Sequence, residues 1–284
     1  MDFNLVTTWY GIPSKYNKKL YFHWIKKLFK TNTPIILFTD TKGENDLKIL
    51  ISKLKRKTPL KINFIITEFS NLEMQKYIKI FEENYLIDEE KIHSPELYLL
   101  WSMKPLFMKK AIELNPFNSS YMLWCDIGAV RDRYHKDLLK NPCNISYFKE
   151  QNDKIILVGI KSLKKHKNYN KYNSKMITIG GGLWGGSIFA ISNWIKAYQE
   201  TFETFIKKNI FVGKDQFIML HTYLNNENLA RVIKPNDKYD PWFYLLRLLY
   251  DKNCKITDAK TYKNFLIDNN GYIQNKKLLS KRFN

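Results

Sequence analysis

The first 70 residues alternate short apolar runs with longer amphipathic stretches, and this rhythm restricts the chain to one fold class. "FNLVTTW" (3–9), "PIILFTD" (34–40) and "INFIITEF" (62–69) have the length and β-branched or aromatic content of strands. Between them, "SKYNKKLYFHWIKKLFK" (14–30) and "ENDLKILISKLKRK" (44–57) repeat apolar residues at helical spacing, with Ser14 placed to cap the first helix. Strands separated by helices pair in parallel, because the crossover spans the length of the sheet. The expectation is an α/β fold with a mostly parallel central sheet and helices on both faces.

The same grammar continues. In "SPELYLLWSMKPLFMKKAIELNPF" (94–117), Ser94 caps a helix, Pro95 takes its first position and Glu96 follows, while Pro105 breaks or kinks the segment. "YMLWC" (121–125) and "IILVGI" (155–160) read as strands, and "NWIKAYQETFETFIKK" (193–208) and "KDQFIMLHTYL" (214–224) as helices. No repeat and no Gly/Ser/Pro linker divides the 284 residues, so 1–284 are read as a single domain, with the polar, Lys/Asn-rich residues 255–284 as a peripheral tail.

A formal charge of +20 suggests an anionic partner. Of the 47 basic residues, however, 41 are Lys and six are Arg, whereas base readout leans on Arg. Together with abundant Asn, Ile, Tyr and Phe, this reads as AT-rich coding plus a solvated Lys surface, and no specific nucleic acid is expected. A basic nucleic-acid-binding protein and side-on contact with an anionic membrane stay open as alternatives. The three cysteines, Cys125, Cys143 and Cys254, have neither zinc nor disulfide spacing and point to a reducing compartment. "MDFNLVTTWYG" has no basic n-region and no apolar h-region, and no apolar run approaches a membrane span. A cytoplasmic protein, peripheral to a membrane at most, is the expectation.

In an open parallel sheet, ligands bind beyond the carboxyl ends of the strands. Thr7 and Thr8 end the first strand, Asp40 ends "IILFTD", and Asp126 ends "YMLWCD" beside Gly128. A carboxylate there can hold a ribose hydroxyl or a divalent metal, and it can equally cap the next turn. "IGGGLWGGS" places five glycines between 180 and 186, dense enough to signal close backbone approach or a tight bend. Trp184 among them reads either as a sugar platform over a Gly185–186 floor or as a core side chain in a bent strand. Asp215 and Gln216 in "VGKDQF" open a helix, so Asp215 either caps or serves as a hydroxyl contact or base. Lys104, in "WSMKPLF", is placed to offset a diphosphate, and His221 is a further candidate metal ligand without supporting spacing.

"GIPSKYNKKLYFHWIKKLFK", "PIILFTD", "ELYLLWSMKPLFMKKAIELNPF", "YMLWCDIGAVRD", "GGLWGGS" and "GKDQF", in this order over residues 3–235, resemble glycosyltransferases of the GT-A fold. The nearest resemblance is to the HtrL/YibB-type family of bacterial candidate sugar transferases. It implies a nucleotide-sugar donor, UDP-linked by expectation, a glycan or glycolipid acceptor, and Mn²⁺ or Mg²⁺ held by an Asp-x-Asp motif. Here the motif reads Asp126-Ile127-Gly128, without its second acid, and Asp132 substitutes only if the loop folds back. By the same resemblance Asp126 would hold the metal and Lys104 would face the donor phosphates. Thr7, Thr8 and Asp40 would line the nucleoside pocket. Trp184, Gly185, Gly186, Asp215 and Gln216 would contact sugar and acceptor, with Asp215 as the catalytic base. The missing acid leaves a non-catalytic nucleotide- or sugar-binding module as an alternative.

Overall fold

The computed structural model describes residues 2–131, 141–142, 144–161, 177–235 and 240–259, and the backbone of 265–267 and 273–275. Its centre is a seven-stranded sheet in the order β3-β2-β1-β4-β6-β5-β7. The strands are β1 Phe3–Trp9, β2 Ile35–Thr39, β3 Ile62–Ile66, β4 Tyr121–Cys125, β5 Ile155–Gly159, β6 Ile179–Ser187 and β7 Ala230–Ile233. All neighbours are parallel except β6, which runs against both β4 and β5. The expected α/β class, mostly parallel and covered on both faces, is the one observed.

Coverage follows from alternation along the strands. Val6, Met122, Trp124 and Trp184 point to one face, under α4 (Pro95–Ser102), α5 (Lys104–Leu114), α7 (Ile188–Lys207) and α8 (Asp215–Asn225). Leu5, Leu123, Cys125 and Leu183 point to the other, under α1 (Lys18–Leu28), α2 (Thr41–Ser52), the short α6 (Ser146–Lys149) and α9 (Tyr244–Tyr250). The inner strands are largely apolar because both sides are buried, whereas the edge strand β3 is half-buried. Among the described residues a further helix, α3 (Ile78–Ile87), packs beside α4.

Local chemistry sets the boundaries. Asn17, not Ser14, caps α1: its Oδ1 accepts from Leu20 N at 2.9 Å, while the Ser14 hydroxyl donates to Tyr16 O at 3.0 Å. Ser94 caps α4 as expected, and the chain breaks at Met103, so Pro105 lies in the first turn of α5, where its missing N–H costs nothing. The start of the polar tail is not detached. Ala259 N donates to Val232 O at 2.9 Å and Lys234 N to Thr257 O at 2.7 Å, extending the β7 edge. Beyond it, β8 (Phe265–Ile267) and β9 (Ile273–Asn275) pair antiparallel.

The glycine-rich segment is a buried strand, and this corrects the sugar-floor reading of Trp184, Gly185 and Gly186. Trp184 lies opposite Trp124 in the β4–β6 register and is 1% exposed. A Cβ on Gly185 would lie 2.2 Å from Met122 O, and one on Gly186 would lie 3.1 Å from Lys154 O and 3.3 Å from Ile155 Cα. These two glycines let β6 sit between its neighbours. Gly186→Val is therefore expected to cost about 1–3 kcal/mol of stability, as overpacking does, with activity per folded molecule kept. Urea unfolding beside an activity measurement checks this, and a stable but inactive variant would contradict it.

Candidate active site

Four segments converge where β4 ends and β6 begins. The β4–β6 ladder runs one residue past the strand, with Asp126 N donating to Gly182 O at 2.8 Å, and this fixes the Asp126 backbone. The Trp124 indole N–H donates to Asp126 Oδ1 at 2.8 Å. From the first turn of α5, Lys104 Nζ reaches Asp126 Oδ1 at 3.1 Å, Asp215 Oδ2 at 2.8 Å and Gly181 O at 3.0 Å. One hydrogen bond and two ion pairs thus occupy Lys104. It ties α5, β4, β6 and α8 together.

Room for this triad comes from glycine. A Cβ on Gly181 would lie 2.6 Å from Asp215 Oδ2, and one on Gly182 would lie 3.0 Å from Asp126 Oδ2. Asp215 opens α8, its Oδ1 accepting from Gln216 N at 2.9 Å, and Gln216 Nε2 donates to Ile179 O at 3.2 Å. Burial pushes the Asp215 carboxyl above its usual range, and the Lys104 ammonium limits that rise. Burial alone would lower the Lys104 ammonium, but Asp126 and Asp215 outweigh it and hold the group above its ordinary value. The Asp126 side chain keeps 37% of its surface exposed, against 5% for Asp215. Asp126 Oδ2 is thus the carboxylate oxygen of the triad that faces open space.

The triad floors a cleft of about 1300 Å³, walled by Trp101, Trp242, His93 and Arg131. An adjoining hollow of about 650 Å³ runs toward the end of β1 over Thr8, Tyr10 and Trp124 and shares Lys104, Asp126 and Arg131. Behind the cleft, Lys214 Nζ pairs with Asp88 at 3.1 Å and Glu90 at 2.5 Å, and the Tyr98 hydroxyl also donates to Asp88. This cluster pins the start of α8 to the α3–α4 connection, so Asp215 starts from a fixed backbone.

The structure brings together Lys104, Asp126, Asp215 and Gln216, with Thr8 in the adjoining hollow. It separates others expected there. Thr7 is fully buried. Asp40 caps α2, its Oδ1 accepting from Gly43 N at 2.6 Å, and does not border the cleft. His221 is fully buried between Phe205 and Phe217, with its Nδ1 2.9 Å from Phe217 O, inside α8 packing and away from the triad. Asp132 and Cys143 lie outside the described residues. Asp40→Ala is accordingly expected to cost about 1 kcal/mol of stability, as N-cap loss does, and to leave ligand binding unchanged. Thermal unfolding and a binding titration on the variant check both halves.

Gly181, Gly182, Trp101, Trp242 and Arg131 border the cleft without having been singled out in the sequence. The signals existed. Gly181 and Gly182 belong to the same glycine run as 185–186, one ladder step nearer its open end, and Arg131 is one of six arginines, five residues past Asp126.

The resemblance implies a divalent metal among these donors. Asp126 Oδ1 is already shared by an indole N–H and an ammonium, and Asp215 is engaged by that same ammonium. Among the described residues no group of three or more His, Cys, Asp or Glu side chains could hold a metal ion. Within the described triad an ion on Asp126 Oδ1 would have to displace or abut the Lys104 charge, which leaves Asp126 Oδ2 alone to meet one.

Fold and cleft together define an α/β protein with a carboxylate–ammonium–carboxylate triad at the carboxyl end of its central strand. Residues 12–251 match the family described as "Bacterial protein of unknown function (HtrL_YibB)", and the chain belongs to that family. No curated protein matches it. Among solved structures, it is similar to mouse xyloside xylosyltransferase 1 in its apo form, at 11% identity and a TM-score of 0.46, covering 82% of this chain and 85% of that one. It is similar to 4-diphosphocytidyl-2C-methyl-D-erythritolsynthase from Anaerococcus prevotii, at 10% identity and a TM-score of 0.38, covering 85% and 92%. A third, S. aureus TarS 1–349, aligns at 15% identity and a TM-score of 0.36, covering 84% of this chain and 58% of the other. Among the described residues no helix is long and apolar enough to cross a membrane.

Proposed function

We propose that the chain transfers a sugar from a nucleotide-sugar donor, UDP-linked in the first instance, to a hydroxyl of a glycan or glycolipid. The observation that carries the reading is the preorganised floor of the cleft, where Asp126 is fixed through Oδ1 by Trp124 and Lys104 and through its backbone N–H by the Gly182 carbonyl, which leaves Oδ2 as its free carboxylate oxygen. Rigid placement on a buried strand is what a reacting carboxylate requires. The nucleoside lies in the hollow beside Thr8, and the sugar above Gly181 and Gly182, where a Cβ is absent. Trp101 or Trp242, which do line the cleft, supplies the apolar ring platform that Trp184 cannot.

In the reaction, the acceptor oxygen attacks the anomeric carbon while the bond from that carbon to the diphosphate oxygen breaks. The electron pair leaves on the nucleoside diphosphate, and the acceptor proton passes to Asp126 Oδ2. The sequence resemblance points to Asp215 as this base. Both of its oxygens are engaged, by Gln216 N and by Lys104, so its role is to hold the Lys104 clamp at the cleft edge. The test is release of nucleoside diphosphate from a panel of UDP-, GDP-, CDP-, ADP- and dTDP-sugars by the purified chain, with oligosaccharide and glycolipid acceptors. Turnover of at least one donor is expected. Absence of turnover and of binding across the panel would overturn the reading.

A further inference from the structure

With the Lys104 charge paired to two carboxylates, a diphosphate in the cleft calls for further positive charge. Arg131 stands in both parts of the cleft, across from Asp126. Its guanidinium carbon lies 5.1 Å from the Tyr16 ring centre, 4.7 Å from that of Trp24 and 4.8 Å from that of Phe243. These rings come from the loop before α1, from α1 itself and from the 3₁₀ turn before α9. Arg131 Nε donates to Gly128 O at 3.1 Å, and its carbonyl accepts from Lys27 Nζ at 2.8 Å. Among the described residues no carboxylate pairs with it. Three rings therefore surround the guanidinium and its Nε edge is tied to Gly128, while the Nη edge has no partner among those residues.

An arginine stacked on several rings and anchored through Nε has already lost the rotamer freedom that binding would otherwise remove. Its remaining edge offers parallel N–H groups at the spacing of two phosphoryl oxygens. A role purely in packing would not call for a charged group at the mouth of a cleft, where an aliphatic side chain would fill the same aromatic cage.

We infer that Arg131 is the diphosphate-binding residue of the cleft, and that it meets the donor's phosphoryl charge without a divalent cation. The anion site rests on the geometry alone, and its assignment to a donor rests on the sugar-transfer reading. The two are separable because inorganic pyrophosphate is a probe that carries neither nucleoside nor sugar.

The experiment is calorimetric titration of the full chain with pyrophosphate, then with UDP, each in EDTA and again with Mn²⁺. Wild type, Arg131→Gln and Arg131→Lys are compared. Pyrophosphate is expected to bind wild type in EDTA, with Mn²⁺ changing the affinity less than about threefold. Arg131→Gln should weaken it by about tenfold or more, and Arg131→Lys should restore little of that, since the ammonium lacks the fork. If pyrophosphate binds as expected and no nucleotide does, the anion site stands and the donor reading fails. Equal pyrophosphate affinity in wild type and Arg131→Gln would overturn the inference, as would binding that requires Mn²⁺. A lower melting temperature with unchanged affinity would likewise assign Arg131 to packing alone. Because Arg131 is solvent-exposed, the variants should fold, and circular dichroism on each confirms that affinity is compared between native chains.

Discussion

Asp126→Asn should lower sugar transfer by about 10²–10⁴-fold, the range lost when a positioned general base is removed, and leave the fold intact. Asparagine keeps the shape and can still accept from the Trp124 indole through its carbonyl, so the floor of the cleft stays in place. What disappears is the charge on the oxygen that faces the acceptor. Stability should change little, because the replaced carboxylate is 37% exposed and its Lys104 partner retains Asp215 and Gly181 O. Single-turnover rates with the active donor, measured beside urea unfolding, separate the two effects. A variant that transfers sugar at the wild-type rate would remove Asp126 from the chemistry.

Lys104→Met should show the opposite profile, with stability as its main loss. Methionine fills much of the volume but leaves Asp215 buried without its ammonium, and breaking a buried pair by removing one partner typically costs about 3–5 kcal/mol. The pH dependence carries a sign. Burial already holds the Asp215 carboxyl above its ordinary value, and Lys104 is what limits the rise. Without it the folded-state value climbs further while the unfolded value stays put. Between those two values the folded chain binds the extra proton, so stability falls as pH rises across that window. The gap between variant and wild type should therefore be wider at pH 8 than at pH 5 in chemical unfolding. At the alkaline end the sign concerns wild type alone. The raised Lys104 value gives stability that is full below the ordinary lysine range and lost as pH climbs through the folded value. A gap that stays constant from pH 5 to 8 would show that Asp215 does not depend on Lys104.

Much of the architecture was legible in the sequence because its signals are local. Strand β1 matches "FNLVTTW" residue for residue, and Ser94 with Pro95 opens α4 as the cap rules require. The cleft was half legible. Asp126, Lys104 and Asp215 stand out from their places on their elements, but the contacts that unite them reach from Lys104 to Asp126, Gly181 and Asp215, residues far apart in sequence, through one ammonium. No spacing rule reports such a contact. The glycine run misled for a physical reason. Sequence shows that backbone must come close to something, but not to what. At Gly185 and Gly186 the neighbours are strands β4 and β5, whereas at Gly181 and Gly182 they are the two carboxylates. Asp40 and His221 show the bland role winning: a strand-end acid satisfied a helix N-terminus, and a histidine disappeared among aromatic rings.

The donor is expected to bind over the triad at the end of β4. Hydrogen–deuterium exchange of the wild-type chain, with and without each nucleotide sugar of the panel, tests it most directly. Protection is expected in three stretches that are distant in sequence and joined only at this cleft: residues 124–131, residues 179–183, and the start of α8 at 213–217. A nucleotide sugar that binds and protects some other region, while leaving these three unchanged, would contradict the account.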